Sequence, residues 1–99
     1  MRIRSHAYLD RLIAGRLIEM TIKLAIVKRL LQICDDRNMV PNDLAVRSGL
    51  TPSTVYSLIR PDRKDMSVIT LKKLCDGIEM SLLEFFDSDV FFDLEQEIK

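Results

Sequence analysis

Apolar residues along most of this chain recur three and four positions apart, not two. Leu24, Val27, Leu30, Leu31 and Cys34 form one such stripe, with polar residues between its members. That spacing is one face of an α-helix. It predicts a helix over about 21–38, ended by "DDRN" with Asn38 as its C-terminal residue. Upstream, Leu9, Leu12, Ile13 and Leu17 predict a helix over about 7–19, which can run on into the next because only Gly15 interrupts. Pro41 suits the first position of a helix over about 41–48, and Gly49 ends it. Thr51 is a cap and Pro52 a first residue for a helix reaching Arg60. "RPDRKDM", 60–66, reads as a polar loop, after which Asp65 or Ser67 caps a helix ending near Gly77. Ser81 followed by Glu84 is a capping-box signature for another. The tail "DVFFDLEQEIK" predicts a last helical turn or two. No segment alternates convincingly and no Asn-Gly or Asp-Gly hairpin signal occurs, so the pattern is all-α.

Residues 41–60 form a unit of two short helices about a tight turn. Leu44, Leu50, Val55 and Leu58 are apolar where the two helices share a core, and Ala45 is small where their backbones approach. Gly49 has no Cβ and can take positive φ in the turn. This is a helix-turn-helix arrangement, whose second helix enters the DNA major groove with its N-terminal residues against base edges. Its polar face carries Ser53, Thr54, Tyr56, Ser57 and Arg60, short or planar groups able to approach bases and phosphates. Positions 44 to 61 hold no acidic residue. Arg60, Arg63 and Lys64 stand ready for backbone phosphates, and Asn42 adds a donor at the start of the first short helix. The plain alternative is an ordinary surface helix with Tyr56 packed; the apolar set and the Ala45 and Gly49 positions weigh against it.

Charge sharpens this picture. The 99 residues have zero formal net charge, yet residues 1–64 carry twelve Lys/Arg against six Asp/Glu, and residues 65–99 three against nine. A basic half and an acidic half give one anion-seeking side. The acidic run from Asp87 to Glu97 is expected to face away from phosphate. Length implies one small domain, with 47% hydrophobic residues enough for one core. Cys34 and Cys75 each sit on an apolar stripe and read as buried free thiols, consistent with a reducing cytoplasm. No apolar run approaches the roughly 18 residues of a membrane span. Asp10, Arg11, Arg16 and Glu19 break what would be a signal-peptide core.

From about Leu24 to Phe86 the chain resembles the lambda-repressor-like, Cro/XRE-type helix-turn-helix domain of bacterial and phage regulators. The residues that carry the resemblance are "VKRLLQICDDRNM", "NDLAVRSGLTPSTVYSLI", "RPDRKDMSVIT" and "LKKLCDGIEMSLLEFF". It implies a compact five-helix bundle, sequence-specific DNA binding, frequent dimerisation and transcription control. Four positions depart from the family pattern. Pro41 stands for a common Gln, Val40 for a capping Ser or Thr, Ser48 for a larger apolar residue, and Ile59 for a frequent acidic residue.

The expected organisation is an N-terminal helical extension over 1–19, the DNA-binding domain over 20–88 and an acidic tail over 89–99. The extension is an upstream addition to a domain starting at Met20, a helix docking on a partner or second subunit, or a basic amphipathic helix against membrane or DNA backbone. The expected partners are double-stranded DNA and a second copy of the chain, with no membrane, small-molecule substrate, cofactor or metal. A protein-interaction module that kept the bundle and lost DNA is the rival reading. An enzyme is disfavoured, since His6 is the one histidine and no Gly-rich phosphate loop or metal-ligand cluster appears.

Overall fold

The computed structural model describes residues 20–63 and 65–98. The helix expected over 7–19, and Lys64, lie outside them. Five helices follow in order: α1 (Ile22–Asp36), α2 (Pro41–Ser48), α3 (Pro52–Leu58), α4 (Val68–Gly77) and α5 (Leu82–Phe86). A 3-10 turn, Asp89–Phe91, comes last, and the described residues contain no strand.

The helix ends follow from local hydrogen-bond chemistry. Thr21, Thr51, Ser67 and Ser81 each accept a backbone N–H from the residue three positions on. Of the two caps considered for α4, Ser67 fills the role. The Ser81–Glu84 box is reciprocal, at 2.8 and 3.0 Å. Val40 has no side-chain acceptor, so only half a box forms at α2, where Asp43 Oδ2 takes the Val40 N–H at 3.1 Å. Asn38 ends α1 at φ 55° and Gly49 ends α2 at φ 71°. α3 stops at Leu58, short of Arg60, because Pro61 disfavours helical conformation in the residue before it.

The main core joins Leu30, Ile33 and Cys34 of α1 to Leu44, Ala45, Val55, Leu58, Leu71, Leu74, Cys75, Ile78 and Phe85. A smaller cluster, Leu24, Val27 and Leu31, is closed by Met20 and Ile59. Ile59 therefore has a packing role, as an acidic residue there would not. Ser48 also has a reason. α2 and α4 approach so closely that a Cβ on Gly77 would overlap Ser48 Oγ and lie 3.0 Å from the Ser48 nitrogen. A larger apolar residue at 48 would not fit.

Two basic residues of α1, and Arg37 just past its end, each donate to a carbonyl at the far end of another helix. Lys23 Nζ bonds the Arg60 carbonyl just past α3, at 2.7 Å. Arg29 bonds the Phe85 and Glu84 carbonyls of α5 at 2.7 and 2.9 Å, with its guanidinium 5.9 Å from the Phe85 ring centre. Arg37 bonds the Ile78 carbonyl at the end of α4. Helix C-termini leave carbonyls unpaired and carry partial negative charge, so cations there are favourable. Part of the basic half of the sequence is thus committed to the bundle itself.

The tail doubles back onto the bundle. Phe91 packs on the core beside Phe86, ring centres 4.8 Å apart, while Phe92 stays exposed. Glu95 N–H bonds the Met20 carbonyl at 2.9 Å, and Glu97 accepts the Ile22 N–H at 3.2 Å. No described helix is long and apolar enough to cross a membrane.

Candidate nucleic-acid interface

α2, the turn at Gly49 and α3 form a rigid corner. Leu50 N–H bonds the Ala45 carbonyl at 3.0 Å, with Gly49 in the left-handed conformation that the turn needs. Leu44, Ala45, Val55 and Leu58 are buried between the two helices and the rest of the core. Their burial leaves α3 one possible outward face, and it carries Ser53, Thr54 and Tyr56, all exposed, with Ser57 half-buried. Tyr56 is 47% exposed and belongs to neither apolar cluster. Asn42 is exposed at the second position of α2.

Thr51 organises the leading edge. Its Oγ1 accepts the Thr54 N–H at 3.2 Å and lies 2.8 Å from Thr54 Oγ1 and 3.3 Å from Ser53 Oγ. Three hydroxyls thus share one small network at the tip of α3. The Thr-Pro pair marks Thr51 only as a cap; that it also orients two neighbouring side chains follows from three-dimensional proximity.

The loop after α3 is less purely basic than its sequence suggests. Arg60 forks onto Asp62, Nε to Oδ1 at 3.1 Å and Nη2 to Oδ2 at 2.8 Å. The hydrogen bonds from Arg60 hold the Asp62 carboxyl below its usual range against the opposing desolvation, with the charges of Arg60 and Lys23 as lesser contributions in the same direction. Arg63 donates to Ser57 Oγ at 2.8 Å and lies 3.8 Å from Asp65. Arg60 and Arg63 remain exposed, but each comes with a carboxylate that a phosphate must replace. Among the described residues no carboxylate hydrogen-bonds Ser53, Tyr56 or Ser57.

Two contributors are absent from the residues that sequence pattern singles out. In the pattern, Asp62 marks only the end of an acid-free stretch; in the fold it is the partner of Arg60. Lys23 shares the helical spacing of Val27, Leu30 and Cys34, which is a legible sign that it points inward.

Residues 29–88 match the model of the Cro/C1-type HTH DNA-binding domain. The chain belongs to that family. Membership makes this Cro/C1-type chain a DNA-binding regulator, and it does not favour the rival reading of a bundle that has exchanged DNA for a protein partner. The family is one of DNA-binding domains, not of enzymes. The fold also resembles that of the restriction-modification controller protein C.Esp1396I. The wild-type protein is 24% identical, with a TM-score of 0.62 over 69% of this chain and 87% of that one. A tyrosine-to-phenylalanine mutant of it is 23% identical, with a TM-score of 0.62 over 70% and 86%. At these identities the likeness concerns the fold. No curated protein matches the chain.

Proposed function

We propose that this Cro/C1-type domain controls transcription by laying α3 in the major groove of a specific operator. Ser53, Thr54 and Tyr56 read base edges. Ser57 holds Arg63 in place and adds a hydroxyl, while Asn42, Arg60, Arg63 and Lys64 bind phosphates. Two copies bind together, which sets half-sites about one helical turn, ~34 Å, apart. The observation that carries the reading is the division of α3: Val55 and Leu58 are buried, and after Pro52 every exposed side chain of the helix is a small hydroxyl or a tyrosine.

The test is selection of duplex DNA on the purified full chain, followed by fluorescence anisotropy over a salt series. A selected inverted repeat bound at least a hundredfold better than random duplex, with affinity falling steeply as salt rises, is the expected result. Replacing Ser53, Tyr56 and Ser57 together by Ala flattens the preference between sequences. Replacing Arg63 and Lys64 by Ala weakens all sequences alike and lowers the salt slope by about 1 for each phosphate no longer neutralised. Sequence-blind binding that ignores salt would overturn the proposal. Sedimentation with and without the repeat checks the pairing of copies.

A further inference from the structure

Lys23 is only 4% exposed, in the first turn of α1 beside the cluster of Leu24, Val27 and Leu31. An ammonium so placed costs free energy unless it is hydrogen-bonded. A methionine would fill the same space without that cost. Stability of the cluster gives no reason for a lysine here, but its bond does. Lys23 Nζ reaches the Arg60 carbonyl at 2.7 Å, across 37 positions of sequence. The same carbonyl accepts the Arg63 N–H at 3.2 Å, closing a turn over residues 60–63 with Pro61 at its second position. One oxygen is thus held from two sides, where α3 gives way to the loop carrying Arg60 and Arg63. Arg29 and Arg37 make comparable bonds to α5 and α4, neither of which carries a proposed DNA contact.

We infer that Lys23 is a positioning residue for DNA recognition: through the Arg60 carbonyl it sets the 60–63 turn, and with it the aim of Arg60 and Arg63 at phosphate. Lys23 itself touches no DNA. The loop's own charges surround the bond, Arg63 opposing the ammonium and Asp62 and Asp65 favouring it. This inference rests on the proposal that α3 and the 60–63 turn contact DNA.

The experiment compares K23M, K23R and V27A in the full chain. Each is measured for Kd on the selected operator well below its melting temperature, for salt slope, and for hydrogen exchange of the Arg63 amide without DNA. K23M is expected to keep its helical circular dichroism, bind about tenfold more weakly, lose about 1 in salt slope and exchange Arg63 faster by tenfold or more. K23R, which keeps a donor and the charge, is expected to return affinity to within about threefold. V27A damages the same cluster, so it lowers the melting temperature while Kd and Arg63 exchange hold. K23M with wild-type Kd and exchange overturns the inference, as does V27A reproducing both effects. Should K23M fail to fold, K23Q is held to the same comparison with V27A. If the wild-type chain selects no operator, the DNA reading fails by itself. The exchange of Arg63 then still decides whether Lys23 holds the turn.

Discussion

Gly77 and Ser48 show how little room a single position can leave. The Cβ of a G77A variant would meet Ser48 Oγ and also backbone, 3.0 Å from the Ser48 nitrogen and 3.1 Å from the Arg47 carbonyl carbon. Side chains can rotate away; backbone cannot. G77A is expected to cost about 1–3 kcal/mol in urea unfolding, as overpacking does. The Ser48 hydroxyl is buried and has no hydrogen-bond partner among the described residues. S48A should therefore be neutral or stabilising by about 1 kcal/mol. The double variant should recover only part of the G77A deficit, because the backbone clashes remain. Asp62 is the matching residue on the surface. D62N weakens the fork on Arg60, so it is expected to tighten operator binding two- to tenfold and to steepen the salt slope.

Among the elements, α3 depends most on one hydroxyl. T51A removes the acceptor of the Thr54 N–H and the hub of the Ser53 and Thr54 hydroxyls. It should cost about 1 kcal/mol of stability and lower operator preference more than phosphate affinity; paired anisotropy on operator and random duplex separates the two effects. Helix positions were legible because their causes are local. Periodicity placed the stripes of α1 and α4, and Thr21, Thr51, Ser67 and Ser81 cap N–H groups three residues ahead. The outward face of α3 was legible for the same reason, since burying Val55 and Leu58 dictates which residues face out. The state of the loop was not. Arg60 and Arg63 look like available cations in a linear reading, and only the turn at 60–63 shows Asp62 and Ser57 beside them.

For the whole molecule, the two thiols and Lys23 contribute to the pH dependence of stability on the alkaline side. Burial pushes the Cys34 thiol up to about 11 and raises Cys75 as well. Above pH 9 the unfolded chain ionises these thiols while the folded chain keeps them protonated, so stability falls as pH rises from 9 towards 11. Lys23 acts oppositely. Burial lowers its pKa, so between that lowered value and 10.5 the unfolded chain holds the extra proton and stability gains with pH. K23M should therefore show a steeper alkaline decline than the wild type in denaturant midpoints measured from about pH 8 to 10.5. Both cysteines are buried, so a thiol reagent should label neither in the native protein and both in denaturant. The sequence by itself determined the order of the described helices, most of their boundaries and the buried side of each, because those features depend on residues no more than four or so apart. Tertiary structure alone decided which cations serve the bundle and which stand on the loop after α3, since the Lys23, Arg29 and Arg37 bonds span 37 to 56 positions. It also decided that Glu95 and Glu97 return to the start of α1. Charge pairing acts through space, and a one-dimensional pattern does not record which carbonyl or carboxylate the fold brings to a given ammonium or guanidinium.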